Sequence, residues 1–204
     1  MAQQENLEFK NHKRCDMMKK FNISMLLILI TLCIVSFFLD DRISLLAMSS
    51  KIRFLDMLFG IITNFIFVTL IVLLVPSLLL YKKEKKTVYL FWFAFIATII
   101  INVIAKLIIH RNRPSEPGSY FIYSLQQYSF PSTHTVVVFS MLPFLIKYLP
   151  RQKYFWIFFA FLVGFTRLYF NYHFFSDVAF GAFFGYLIGI FFLHLDERGK
   201  LWKK

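Results

Sequence analysis

Cysteine is nearly absent, with two in 204 residues: Cys15 among basic residues and Cys33 inside an apolar run. They lie in different surroundings, so neither a disulfide nor a paired-thiolate metal site is expected. Charge is scarce as well. Asp, Glu, Lys and Arg make up 17% of the chain, against roughly 25% in soluble domains. What fills the chain instead is apolar: 58% hydrophobic and 20% aromatic, with 28 Phe, at a mean hydropathy of +0.63. These values exclude an ordinary soluble domain. They point to an all-α polytopic membrane protein whose length allows about six spans. The formal charge of +12 would suggest nucleic acid in a soluble protein. Here the lysines gather at the ends of apolar runs, which suits membrane topology and anionic lipid, and no nucleic-acid partner is expected.

Residues 1–20 form a polar tail with Lys10, Lys13, Arg14, Lys19 and Lys20. The run Phe21–Leu39 is longer than a signal-peptide core and lacks a small-residue cleavage site, so it reads as a retained span. Asp40–Asp56 mixes charge with Ile43, Leu46, Ile52 and Leu55, which predicts a loop or a short helix at the interface. A second span is predicted over Met57–Tyr81, with Pro76 tolerated near its end, and a third over Thr87–Ile109 with Lys106 in its last turn. A loop over 110–132, with Pro114, Pro117, Gly118 and Pro131, leads to a fourth span from His134 to Leu149. The fifth, Tyr154–Leu168, and the sixth, Phe174–His194, complete the set. The fourth and fifth are short for a full crossing and are expected to borrow a turn from each neighbouring loop. The domain plan is therefore a basic tail 1–20, a six-helix membrane domain 21–195 and a basic tail 196–204.

Positive charge concentrates in the N-terminal tail, the 82–86 loop, the 147–153 loop and the C-terminus. By the positive-inside rule both termini are cytoplasmic. Three polar clusters then open together on the outer face. They are Lys106 with Arg113-Pro114, then Pro131-Ser132-Thr133-His134, then Thr166-Arg167 with His173 and Asp177.

Lys106, Arg113 and Arg167 would repel one another unless an anion bridges them, and arginine offers forked donors suited to phosphate oxygens. A residue before proline is biased out of the helical region, which puts Arg113 on the turn past a helix end. Ser132 stands at a helix start, where a cap is the ordinary role. The same helix start presents free backbone N–H groups that bind phosphate well. His173 and Asp177 share a face if both lie on a helix, so the carboxylate can accept from one imidazole nitrogen and leave the other nucleophilic. Gly181, Gly185 and Gly189 recur every four residues, a close-packing stripe that serves packing within the monomer or a weak dimer. His110 and Arg111 lie near the site and read as solvated, with contact to a headgroup the alternative, and the Phe excess reads as lipid-facing and interhelical packing.

These residues spell a pattern. Lys106 through Arg113-Pro114 matches KxxxxxxRP, Pro131 to His134 resembles PSGH, and Thr166 to Asp177 resembles SRxxxxxHxxxD. In order and spacing, residues 106–177 resemble the type 2 phosphatidic acid phosphatase superfamily, which also includes vanadium haloperoxidases and bacterial acid phosphatases. The resemblance implies that His173 attacks phosphorus and becomes a phosphohistidine, with Asp177 orienting it. It implies that His134 protonates the leaving oxygen and later helps water attack. Lys106, Arg113, Ser132, Arg167 and the backbone N–H of Thr133 would hold the phosphoryl oxygens. It also implies that no metal and no cofactor is needed, in keeping with a chain that offers no outward-facing carboxylate cluster beyond Asp177 and Glu116.

The chain departs from the pattern twice. Thr133 stands where the pattern has Gly, and Thr166 replaces Ser while keeping a hydroxyl. The function implied is a membrane lipid phosphatase at the outer face of a bacterial cytoplasmic membrane. Polyprenyl diphosphate is the favoured substrate; phosphatidylglycerol phosphate, phosphatidic acid and the 1-phosphate of lipid A are the other candidates. Two alternatives stay open: a lipid phosphotransferase using the same site, and a non-catalytic anion- or lipid-binding or transport protein.

Overall fold

The computed structural model describes residues 2–49, 51–82, 85–114 and 128–197, with the side chains of 2–19 and 197 outside that description. Most of the predicted 110–132 loop, with Glu116, Pro117 and Gly118, and residues 198–204 of the C-terminal tail lie outside the described residues. Among those described the architecture is helical: α1 Ala2–Ser49, α2 Arg53–Ile62, α3 Phe65–Thr69, a π-helical turn Leu70–Leu74 and α4 Val75–Tyr81. Then come α5 Lys85–Ile109, α6 Thr133–Tyr148, a 3₁₀ turn Pro150–Gln152, α7 Lys153–Tyr169 and α8 Phe175–Glu197.

Within this set Lys20–Ser49, Lys85–Ile109 and Phe175–Asp196 are long and apolar enough to cross a bilayer. A fourth span results if α2 and the Phe65–Tyr81 segment, bent by 52°, are one broken crossing. The apolar helix α6 has only 16 residues, about 24 Å at 1.5 Å per residue, short of the roughly 30 Å hydrocarbon core. It does not borrow turns from its neighbours as the sequence predicted. Every residue from Thr135 to Ile146 is buried, so α6 is a central pillar that meets protein on all sides. A helix enclosed by longer helices has no hydrocarbon thickness to match.

Two predicted elements need correction. Residues 40–49 of the predicted loop or short helix are instead the end of α1, which runs unbroken from Ala2 to Ser49 and takes in Asp40, Asp41 and Arg42, while 53–56 do open a short helix, α2. The Asp40 carboxylate is used inside the protein, where Oδ1 accepts from Ser176 N at 2.7 Å and Oδ2 from Ser176 Oγ at 2.5 Å. It caps the start of α8, so the helix that bears it keeps going. The second span is not continuous either. Asn64 Oδ1 accepts from Ile66 N at 2.9 Å and Phe67 N at 3.2 Å, which restarts the helix as α3.

The glycine stripe serves the α6–α8 contact. A Cβ on Gly185 would stand 2.2 Å from Val136 O, and one on Gly189 would stand 2.2 Å from Ser140 O. That face is therefore occupied within the chain. Gly185→Ala forces two backbones apart, and overpacking of this kind costs about 3 kcal/mol. The melting temperature in detergent should fall by several degrees, whereas Gly60→Ala, with nothing within 4 Å of the added carbon, should leave it unchanged. Equal melting of the two variants would contradict this packing.

Candidate active site

All three polar clusters meet at one end of the helix bundle. Lys106, in the last turn of α5, is 4% exposed, and its Nζ donates to Tyr128 O at 2.6 Å. Helix α5 stops at Ile109, and His110 follows with φ of 51°. Arg113 lies just beyond, where its Nη1 donates to Tyr172 O at 3.3 Å. Arg167, in the last turn of α7, donates through Nη1 to Thr63 Oγ1 and packs its guanidinium 4.7 Å over the Tyr172 ring. Lys106, Arg113 and Arg167 all act electrostatically on His173, so the convergence expected from sequence is present in space.

Helix α6 begins at Thr133, with Ser132 at the N-cap position. The Ser132 side chain makes no capping bond; its Oγ accepts from Thr135 Oγ1 at 3.1 Å. The Ser132 N–H is used by Asp177 O at 3.2 Å. The next N–H groups, from Thr133 onward, have no intrahelical acceptor by position, and they form the donor end of the helix. Among described non-glycine residues only His110 and Asn171 have positive φ, so Thr133 takes the place of glycine without backbone strain. His134 packs edge-on against Phe65, with ring centroids 5.1 Å apart. Its Nε2 is buried and has no hydrogen-bond partner among the described residues.

His173 sits in the Phe170–Phe174 turn, before α8 starts at Phe175, so it does not share a helix with Asp177 as the sequence suggested. The two approach for a different reason. Asp177 Oδ2 reaches back to accept from Phe174 N at 2.9 Å, which is the acidic half of a capping box and draws the turn toward it. His173 Nδ1 then lies 3.8 Å from Asp177 Oδ2, an ion-pair distance and not a hydrogen bond. Burial, reinforced by Arg167, Arg113 and Lys106, holds the His173 imidazole well below the ordinary histidine range, with a backbone hydrogen bond at Ser129 working the other way. The ring is therefore neutral at physiological pH.

Four contributors were not picked out from the sequence. Arg111, read as solvated, donates through Nη1 to Asp177 Oδ1 at 2.8 Å and to Ser176 Oγ at 2.6 Å. Its Nη2 donates to Asp40 Oδ2 at 2.9 Å, so one guanidinium ties α1 to the start of α8. Asp40, toward the C-terminal end of α1, is the second. Thr63, at the break between α2 and α3, is the third: it holds Arg167 and meets His134 through its backbone. Asn102 is the fourth, and its Nδ2 donates to Thr133 Oγ1 at 2.9 Å. The available signal was polarity inside apolar runs, which marks a functional hypothesis in a membrane protein.

The ensemble presents a neutral imidazole, three cations, a helix start and a second histidine with an open nitrogen. Such a site can hold a phosphoryl group and attack it. Among the described residues no group of three or more His, Cys, Asp or Glu is placed to hold a metal ion.

Comparison with known proteins bears on the same segment. Residues 86–200 match the family model described as the PAP2 superfamily. The fold is similar to the crystal structure of the first transmembrane PAP2 type phosphatidylglycerolphosphate phosphatase from Bacillus subtilis, at TM-score 0.66 and 23% identity, covering 89% of this chain and 98% of that one. It is also similar to Aquifex aeolicus LpxE, at TM-score 0.61 and 23% identity, covering 76% of this chain and 95% of that one.

Proposed function

The chain belongs to the PAP2 superfamily, and from that membership we propose that it is an integral membrane lipid phosphatase. It acts through a phosphohistidine at the outer face of a bacterial cytoplasmic membrane. Six spans result when α2–α4 count as one broken crossing and the short α6 and α7 as one each, and an even number keeps both termini on the cytoplasmic side. The observation that carries the reading is the buried His173, 3.8 Å from the buried Asp177 carboxylate, with Arg167, Arg113 and Lys106 near enough to act on it.

In the first step a His173 nitrogen attacks the terminal phosphorus, and the bond from that phosphorus to its leaving oxygen breaks, the lipid oxygen of a monoester or the bridging oxygen of a diphosphate. Asp177 stabilises the charge that develops on the ring, the 3.8 Å gap closing to a hydrogen bond as substrate binds. The leaving oxygen takes a proton from His134, which is proposed to be charged by substrate binding and whose Nε2 has no hydrogen-bond partner among the described residues. In the second step His134 takes a proton from water, the resulting hydroxide attacks phosphorus, and the P–N bond breaks to release phosphate and His173. Lys106, Arg113, Arg167, Ser132 and the Thr133 N–H hold the phosphoryl oxygens, the kind of electrostatic stabilisation that dominates phosphoryl transfer. These donors carry the charge neutralisation, so the reaction is proposed to run without a metal.

The favoured substrate is polyprenyl diphosphate, because compact members of such a family suit carrier-lipid recycling. Phosphatidylglycerol phosphate, phosphatidic acid and lipid A 1-phosphate are the comparators. Purified protein in detergent should release free phosphate from at least one of the four with no acceptor lipid present. It should do so fastest from polyprenyl diphosphate, with vanadate inhibiting and EDTA without effect. Phosphate passing to an added acceptor lipid with none released free would make it a phosphotransferase, and lipid binding without release a pure binder. A reporter fused after Gly118 should score outside the cytoplasm; a cytoplasmic result would overturn the orientation.

A further inference from the structure

Helix α5 carries polar side chains at Thr98, Asn102 and Lys106, one turn apart and all buried. Thr98 is satisfied inside its own helix, donating to Ala94 O at 2.7 Å. Asn102 and Lys106 reach across instead. Lys106 Nζ holds Tyr128 O at 2.6 Å, before the start of α6, and Asn102 Nδ2 holds Thr133 Oγ1 at 2.9 Å, at the first residue of α6. One face of α5 therefore grips both ends of the 128–133 segment. Asn102 is 1% exposed, and its Oδ1 has no hydrogen-bond partner among the described residues. Burying an amide half-satisfied in a membrane helix is costly. The contact also depends on the hydroxyl that this chain has where the related pattern has glycine, since a glycine at 133 would give Asn102 nothing to hold.

We propose that Asn102 is a positioning residue for the phosphate cradle and acts through Thr133; this rests on the phosphatase reading above. The amide bolts the start of α6 to the helix that carries Lys106. It thereby fixes the distance between the Lys106 ammonium and the first N–H donors of α6. Thr133 contributes its backbone N–H to the phosphoryl group and its side chain to the bolt. The bolt does in this chain what backbone freedom at a glycine cannot do, which is to set a register between two phosphate-binding elements by a side-chain bond.

The test is a mutant cycle on the full-length protein in detergent, comparing Asn102→Leu, Thr133→Val, Thr133→Ser, Thr133→Gly and Asn102→Leu/Thr133→Gly. Two readouts are taken per folded molecule after size exclusion: kcat on the best lipid substrate, and the affinity for orthovanadate from thermal shift. Loss of a buried polar contact predicts that Asn102→Leu and Thr133→Val each lower kcat and vanadate affinity by about 10- to 100-fold. Thr133→Ser, which keeps the hydroxyl, should exceed Thr133→Val in both by at least about fivefold. In the Thr133→Gly background Asn102→Leu should cost less than about twofold, because its partner is already gone.

Equal values for Thr133→Val and Thr133→Ser would overturn the proposal. So would an undiminished cost of Asn102→Leu beside Gly at 133, or variants that melt lower while their kcat and vanadate affinity stay unchanged. A wild-type protein that binds vanadate but hydrolyses no lipid would sink the phosphatase reading, while the vanadate series still decides the role of Asn102. A wild-type protein that binds no vanadate would overturn both.

Discussion

Replacing His173 with Ala is expected to abolish lipid dephosphorylation, with kcat falling about 10³-fold or more, while lipid binding persists. The imidazole is 3% exposed and lies 3.8 Å from a fully buried carboxylate. The other imidazole of the cluster, His134, has Arg167 and Arg113 acting on it, whereas His173 has Lys106 as well. Lys106 donates to a carbonyl and Ser132 Oγ is engaged by Thr135, so neither can take over. Binding should survive because Lys106, Arg113, Arg167 and the start of α6 remain. Asp177 should not lose its place either, since Arg111 Nη1 and Phe174 N hold it independently of the imidazole. Asp177→Asn, which keeps the shape and loses the charge, is therefore a milder lesion than His173→Ala. A His173→Ala protein with wild-type turnover would remove the mechanism.

The second large effect is expected at Arg167. Arg167→Ala should lower kcat/KM by about 10²- to 10³-fold, the range for losing one preorganised donor to a transition-state oxygen. It should also move the acidic limb of the kcat/KM profile to higher pH. The sign follows from the field at His173. Burial and Arg167 lead the influences that keep this ring neutral, followed by Arg113 and Lys106. Removing Arg167 removes one repulsion against the imidazolium, so the pKa rises toward the ordinary histidine value of about 6.5. The proposed nucleophile is then protonated at a pH where the wild type is still active, and kcat/KM reports that free-enzyme ionisation. An unmoved limb, or one moved to lower pH, would show that Arg167 does not act on His173. Because Arg167 also holds Thr63, melting of the variant should be followed alongside to separate loss of fold from loss of charge.

The candidate site was largely legible because polar groups in apolar runs are expensive and therefore few. Lys106, Arg113, Ser132, Thr133, His134, Arg167, His173 and Asp177 stand out against long stretches of Phe, Ile and Leu, and the structure brings them to one end of the bundle. What stayed hidden was whatever depends on contacts between distant parts of the chain. Asp40 looks like the charge that ends a span, and only its pairing with Ser176 and Arg111 explains a helix that passes through it. Arg111 looks like one more cation in a basic turn. Helix α6 looks too short to cross because a hydropathy window assumes lipid around it, whereas its neighbours are other helices. The break at Thr63 and Asn64 is written in two polar residues, yet its purpose shows only when Thr63 meets Arg167.

The most direct test is to quench purified protein during turnover of the best lipid substrate and locate any phosphoryl group on the chain. The predicted result is an acid-labile, base-stable adduct on His173, absent from the His173→Ala protein. Turnover with no protein-bound phosphate under conditions that trap one in a histidine phosphatase, or an adduct on any other residue, would contradict the account.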